Sequence, residues 1–337
     1  MSTTYNIAIL GATGLVGETI LSILEQRQFP VGNLFPLASE RSAGSTISFR
    51  GKEITVLDAA TFDFSQTQLG LFSAGGSVSA KYAPIAAEAG CVVIDNTSHF
   101  RYEEDIPLIV PEVNPEAIGE YVNRRIIANP NCSTIQMVVA LKPIYDAVGI
   151  TRINVATYQS VSGAGKKGIH ELETQTKELL QGKPVTLSAF PTQIAFNAVP
   201  QIDTWMENGY TKEEMKMSWE TQKIFNDPNI LVNATCVRVP VFYGHSEAVH
   251  IETRDKISAE AARQLLYGAP GVILMDEHTY PTAIDQGTNE DAVYVGRVRE
   301  DISHSHGLNL WVVSDNARKG AALNAVQIAE LLIEQYL

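Results

Sequence analysis

Ile7-Ala8-Ile9-Leu10-Gly11-Ala12-Thr13-Gly14-Leu15-Val16-Gly17 decides how this chain folds, because a short apolar run passes straight into a glycine-rich turn and then into a helical pattern. Val16, Ile20, Ile23 and Leu24 recur at helical spacing, so the turn joins a strand to an amphipathic helix. Glycines at 11, 14 and 17 let the backbone turn sharply and approach a pyrophosphate lying on the helix N-terminus. The spacing G-x-x-G-x-x-G differs from the usual G-x-G-x-x-G, so the same residues also read as a strand-to-helix turn that holds no ligand.

Outward from this unit, residues 33–38, 69–73, 91–95 and 125–128 read as further strands, with a helix around 79–89. Strands alternating with helical patterns predict βαβ units on a parallel sheet. From about Thr151 the texture changes to long alternating or apolar runs at 152–161, 230–241, 249–254, 272–275, 292–299 and 309–314, which predict a mixed, largely antiparallel sheet. Residues 319–337 read as one terminal helix that packs back on the first domain. The expected fold is therefore α/β. A Rossmann-like parallel-sheet domain over 1–130, completed by 316–337, is joined to an α+β catalytic and dimerisation domain over 131–315.

With 337 residues the chain has room for two ordinary domains. Its net charge of −13 argues against a nucleic-acid surface, and any anionic substrate must be gripped by local Arg and Lys residues. Met1-Ser2-Thr3-Thr4-Tyr5 lacks the pattern of a secretion signal, and no run of about 18 apolar residues suggests a membrane span. Cys91, Cys132 and Cys236 form neither a Cys-x-x-Cys pair nor a metal cluster, so a reducing, cytoplasmic setting is expected, with no metal.

Asn129-Pro130-Asn131-Cys132-Ser133-Thr134 places a thiol between a turn and the start of a helical segment. Unpaired N–H groups and the helix dipole favour a thiolate there, whereas a lone cysteine at such a corner also reads as a small buried residue. Ser39-Glu40-Arg41-Ser42 follows the second strand. Arg41 between hydroxyls suits a ribose 2′-phosphate, hence NADP, although Glu40 can take the acidic role of an NAD site and Arg41 can equally be an exposed turn residue. Ser73-Ala74-Gly75-Gly76 gives a second glycine turn at a strand end, and Asn96-Thr97-Ser98-His99-Phe100-Arg101 gathers polar donors at another. Arg101 reads either as an anion clamp or as part of a surface ion-pair group with Glu103, Glu104 and Asp105.

In the second half, Gln159 ends a strand in the small residues Ser160-Val161-Ser162-Gly163. Arg238 and His245 flank Val239-Pro240-Val241-Phe242-Tyr243-Gly244, a guanidinium able to hold a carboxylate and an imidazole able to move a proton. His245 alone also reads as a structural histidine, and Glu220 with Lys223 as an ordinary i, i+3 helix pair.

Taken together, GATGLVG at 11–17, SERS at 39–42, NTSHFR at 96–101, NPNCST at 129–134, QSVSGAG at 159–165, ETQK at 220–223, RVPVFYGH at 238–245 and DNARKGAA at 315–322 resemble the aspartate-β-semialdehyde dehydrogenases along nearly the whole chain. The resemblance implies that Cys132 is the acylated nucleophile, that Gln159 orients the thioester and that His245 is the acid–base group. It also implies that Arg238 and Glu220, with Gln159, bind the substrate's amino-acid end, and that Arg101, Lys223 and Asn131 hold phosphate. Gly11, Thr13, Gly14, Leu15, Val16, Ser39, Arg41, Ser42, Ser73, Gly75, Ser162, Gly163 and Asn316 would contact NADP, and the chain would form a homodimer through the second domain's sheet. The nearest alternative, N-acetyl-γ-glutamyl-phosphate reductase, resembles Gly-Cys-Tyr around its nucleophile, where this chain has Asn131-Cys132-Ser133.

Overall fold

The first strand, β1 (Tyr5–Leu10), lies at the centre of a parallel sheet, as its unbroken apolar run requires. The structure is a computed structural model that describes residues 3–337, and the chain divides into two units. One unit runs to Asn131 and takes in Ala321–Leu337; the other is Cys132–Gly320.

In the first unit, β1 is followed by α1 (Leu15–Gln26), β2 (Val31–Ala38), the hairpin β3 (Thr46–Phe49) and β4 (Lys52–Thr55), then β5 (Leu57–Asp58), β6 (Leu69–Phe72), α2 (Gly76–Glu88), β7 (Val92–Asp95) and β8 (Ile126–Ala128). The strand order β5-β2-β1-β6-β7-β8, parallel throughout, is the doubly wound order whose direction reverses beside the first strand. The reversal puts the turns after β1, β6 and β7 at one edge, where such sheets bind ligands. Ile7, Ile9, Leu69, Leu71 and Ile94 of the sheet pack with Ile20 and Leu24 of α1 and with Val326, Ile328 and Leu332 of the C-terminal helix. Asn324 anchors that helix through hydrogen bonds to the Ile109 carbonyl at 3.0 Å and the Asn129 side chain at 2.7 Å.

The second unit opens with α3 (Cys132–Val148) and continues through β9 (Ile150–Gln159), α4 (Lys166–Leu180), α5 (Lys212–Ile224), β10 (Leu231–Arg238), β11 (His245–Thr253), α6 (Ala259–Leu266), β12 (Val272–Leu274), β13 (Val293–Glu300) and β14 (Gly307–Ser314). Its sheet runs β10-β9-β11-β14-β13-β12, antiparallel in the middle and parallel at both edge pairs. This is the expected mixed sheet. Helix α3 packs on the face that carries alternate residues of β9, β11 and β14, which explains why it is buried without a break from Ser133 to Leu141.

Three details differ from the sequence reading. The first unit extends to Asn131, and residues 316–320 belong to the second unit, not to the terminal segment. The side chain of Asn316 is hydrogen-bonded among Ser160, Ser162 and Gly244, and a π-helical turn at Arg318–Ala322 separates it from the last helix, α7 (Leu323–Gln335). Helix α4 was not anticipated. Its polar sequence buries only Gly168, Glu171, Leu172 and Gln175, too thin an apolar stripe to read.

Candidate active site

The first unit presents the groups expected around a dinucleotide. Gly11 has φ +92°, and a Cβ there would stand 3.0 Å from the backbone of Ser73 and Ala74, so only glycine allows the first turn to lie against the second. A Cβ on Gly17 would stand 2.2 Å from the Gly11 carbonyl, which seats α1 tightly under the loop. Gly14 caps α1 without any side-chain hydrogen bond, and Gly75 at φ +101° has open space where a Cβ would be. A cradle of this shape, at the N-terminus of a helix, fits a pyrophosphate. Thr13, Leu15 and Val16 lie at that helix start, Ser73 gives its hydroxyl to the Leu10 carbonyl at 3.3 Å, and Ser39, Arg41 and Ser42 follow β2 with Arg41 exposed.

Beyond β7, Asp95 is buried and accepts hydrogen bonds from the Ser79 hydroxyl at 2.7 Å and from Thr97 at 2.7 and 3.1 Å, which shape the 96–101 turn. Burial still raises its pKa. Arg101 is buried and donates to the Asn96 carbonyl at 2.9 Å, while Arg124 takes Glu103 at 3.7 Å and Asp105 at 3.3 Å. Arg101 is therefore not a surface side chain. His99 is exposed against the Phe100 ring. Asn131 is buried as the last residue of this unit.

In the second unit the separate motifs become one row. The strand registers set Gln159 opposite Arg238 on one side and opposite His245 on the other, so three residues from three strands stand side by side at one end of the sheet. Cys132 is the first residue of α3, and its charge would act on Arg238. Of the three cysteines it alone is partly accessible. Burial lifts the Cys91 thiol to about 11 and raises Cys236 further, with Glu213 adding to the second shift. Gly320 leaves no room beside Cys132, since a Cβ there would lie 2.8 Å from that of the cysteine.

Gln159 is held at both ends of its amide, accepting from Thr157 at 2.9 Å and donating to Glu213 at 3.1 Å. Glu213 also pairs with Lys216 at 2.9 Å, and Lys216 with Asp203 at 2.8 Å. Burial opposes the Lys216 charge, but the two carboxylates outweigh it and hold the ammonium above its usual pKa. None of these three charged residues was singled out in the sequence. The legible signal was Thr211-x-x-Glu214, a capping box that starts α5 and fixes which way Glu213 points.

Arg238 is buried, donates to the Ser160 carbonyl at 2.7 Å and lies 6.0 Å from the Phe190 ring centre. A Cβ on Gly163 would stand 2.7 Å from its Nη1, so that glycine makes space for the guanidinium. His245 is fully buried, and burial together with the Arg238 charge pushes its pKa down to about 3, against the pull of Glu213. Glu220 is buried on α5 and Lys223 is half-buried one turn later, on the same helix as Glu213. Among the described residues no group of His, Cys, Asp and Glu could hold a metal, and no helix is long and apolar enough to cross a membrane.

Comparison with known proteins finds relatives along the whole chain. Residues 6–121 match the family model for the semialdehyde dehydrogenase NAD binding domain, and residues 141–319 match that for the semialdehyde dehydrogenase dimerisation domain. An aspartate-semialdehyde dehydrogenase of Shewanella sp. (strain DB6705) is 66% identical over 337 residues, covering 100% of both chains. A crystal structure of aspartate semialdehyde dehydrogenase II complexed with ASA, from Vibrio cholerae, superposes with a TM-score of 0.99 at 66% identity over 100% of both chains. A crystal structure of aspartate semialdehyde dehydrogenase with NADP, from Candida albicans, has a TM-score of 0.78 at 25% identity, covering 98% of this chain and 99% of that one.

Proposed function

Because the chain belongs to the aspartate-semialdehyde dehydrogenase family, we propose that it reduces L-aspartyl-4-phosphate to L-aspartate-4-semialdehyde through a thioester on Cys132. The observation that carries this reading is the row Arg238–Gln159–His245, set by strand register in the unit that opens with Cys132. The comparisons name this family and do not favour the N-acetyl-γ-glutamyl-phosphate reductase reading.

The Cys132 thiolate attacks the acyl carbon, and phosphate leaves. N–H groups at the start of α3 stabilise the oxyanion, a contribution of about 3 kcal/mol in comparable sites. Gln159, anchored by Thr157 and Glu213, turns its amide toward the thioester, and His245 serves the oxygen on which charge develops. Arg238 and Glu220 grip the carboxylate and ammonium of the amino-acid end. Lys223, Arg101 and Asn131 are the phosphate-binding residues. When bound, NADPH would supply a hydride to the thioester, and the hemithioacetal on Cys132 would then re-form its C=O bond and expel the thiolate. The residues proposed to hold that cofactor are Gly11, Thr13, Gly14, Leu15, Val16, Ser39, Arg41, Ser42, Ser73, Gly75, Ser162, Gly163 and Asn316. For Asn316 the cofactor role is secondary, because its Oδ1 already accepts from Ser160, Ser162 and Gly244.

The product feeds lysine and diaminopimelate, threonine and methionine formation in the cytoplasm. The enzyme works as a homodimer joined by the outer face of the second sheet, where Tyr158 and Trp311 stand 5.6 Å apart. Acid quenching during turnover, followed by peptide mass spectrometry, tests the chemistry. An aspartyl adduct on the Cys132 peptide is expected, and preference for the acetylated glutamyl phosphate would overturn the substrate assignment.

A further inference from the structure

Helix α4 buries two polar side chains one turn apart on the same face, Glu171 at 2% exposure and Gln175 at 0%. Neither takes part in the proposed chemistry, and a buried carboxylate or amide costs stability unless its hydrogen bonds are met. The segment after the helix meets them. One Glu171 oxygen accepts from the Ser188 hydroxyl at 2.9 Å, from the Phe190 amide at 3.3 Å and from the Ala189 amide. The other accepts from Gln175 Nε2 at 2.8 Å, and that nitrogen also donates to the Thr186 carbonyl at 3.1 Å. Gln175 Oε1 in turn accepts from the amides of Ile194 and Ala195 at 2.9 and 3.2 Å. Residues 186–195 contain no helix or strand, so the two side chains supply partners that a neighbouring strand would otherwise give.

The segment fixed in this way meets Arg238 twice. Val199 forms an isolated antiparallel bridge with it, donating to the Arg238 carbonyl at 2.9 Å and accepting from the Arg238 amide at 2.8 Å. Phe190 lies beneath the guanidinium, with its ring centre 6.0 Å from Cζ, a distance at which a cation is still attracted to the ring face. The ring itself is confined, because it packs against the small core that includes Val161, Ile194 and Val199. Nη1 of Arg238 is already committed to the Ser160 carbonyl at 2.7 Å. The orientation of the rest of the guanidinium therefore depends on the ring.

We propose that Glu171 is a positioning residue for substrate recognition: by holding the backbone of residues 188–190 it keeps Phe190 against Arg238, and Phe190 keeps the guanidinium turned toward the substrate's carboxylate. The role rests on the reading above that Arg238 grips that carboxylate. An arginine released from its ring still carries its charge, but it loses the fixed fork that makes carboxylate recognition selective. The loss is therefore felt in binding of the carboxylate and not in the chemical steps.

Steady-state kinetics of full-length F190A and E171A test the role, run from aldehyde to acyl phosphate with phosphate and NADP. Two aldehydes are compared, L-aspartate-4-semialdehyde and 3-aminopropanal, which lacks the carboxylate. In both variants KM for L-aspartate-4-semialdehyde should rise about fivefold or more while kcat stays within about twofold. For 3-aminopropanal kcat/KM should change by less than about twofold. In E171A/F190A the rise in KM should be smaller than the product of the two single effects, because both substitutions act through one contact. A rise shared equally by the two aldehydes, a fall in kcat at constant KM, or fully multiplicative effects in the double variant would overturn the role. F190A leaves the buried carboxylate in place, so it decides the matter even if E171A does not fold. R238K should raise the same KM. If it does not, the assignment of the carboxylate to Arg238 falls and the positioning role falls with it, whereas a raised KM in R238K beside an unmoved one in F190A overturns the positioning role alone.

Discussion

The amide of Gln159 donates to the Glu213 carboxylate at 3.1 Å, although the two residues are 54 apart in the chain. Gln159 ends a strand and Glu213 lies in the first turn of α5, so the orientation of the amide depends on a charged network reaching through Lys216 to Asp203. Removing Glu213 leaves a buried ammonium with one carboxylate in place of two. E213A should cost about 3 kcal/mol of stability, as breaking a buried pair generally does, and should lower kcat as Gln159 loses its anchor. E213Q/K216M should recover more stability than the two single variants suggest, because the buried ammonium is gone and the remaining carboxylate, Asp203, is partly open to water. Urea unfolding of the four proteins measures the coupling.

The three cysteines differ in accessibility. Cys91, lifted to about 11 by burial, and Cys236, raised by burial and by Glu213, should resist iodoacetamide at pH 8 while Cys132 reacts. One label per chain on the Cys132 peptide is the expected mass-spectrometric result, with activity lost in proportion. C132S should retain cofactor binding and lose turnover.

Two glycines set close clearances beside Arg238 and Cys132. A Cβ at Gly163 would stand 2.7 Å from Arg238 Nη1, and one at Gly320 would stand 2.8 Å from the Cys132 Cβ. G163A should therefore raise KM for the amino-acid substrate more than it lowers kcat, whereas G320A should lower kcat and slow Cys132 alkylation. Steady-state kinetics distinguish the two, since displacing a binding group and displacing a nucleophile fall on different parameters.

Two fully buried titratable groups on β11 make stability depend on pH in opposite directions. His245, lowered from its ordinary 6.5 to about 3, stays neutral in the folded chain, so its contribution is complete above pH 6.5 and is lost as pH falls toward 3. Glu247 closes no hydrogen bond through either carboxylate oxygen. Burial raises it well above 4.5, a shift that the neighbouring Gln136 amide only partly opposes. Its contribution is complete below pH 4.5 and is lost as pH rises through the raised value. E247Q should flatten the alkaline side of the stability curve, and H245N should flatten the acid side. Thermal unfolding across pH 4 to 9 checks both.

Arg41 follows β2 in the first unit and is exposed. R41A should weaken NADP relative to NAD by roughly tenfold or more in kcat/KM, the loss of one charge-assisted hydrogen bond of about 1.5–3 kcal/mol. An unchanged ratio would assign cofactor choice to Glu40 or to other groups.

The first unit was legible from local pattern because its information is local. A parallel strand, a glycine turn and an amphipathic helix each leave a periodic trace within about ten residues, and Gly11 carries the positive φ that its turn needs. Cys132 could likewise be picked out from its neighbours, since a thiol between a turn and a helix start is a local arrangement. Whether it had companions was not local. Gln159, Arg238 and His245 become adjacent only through the pairing of β9 with β10 and β11, and a slip of one residue would turn them to the other face of the sheet. The anchors of that row, Glu213 and Lys216 beneath Gln159, and Ser160 and Asn316 behind His245, look in sequence like ordinary polar residues on a helix or in a turn. Burial gives them their weight, because a buried polar group must find its partner wherever the fold places it. The residue types therefore carried the chemistry on offer, while strand register and desolvation settled which of them act together and in which protonation state.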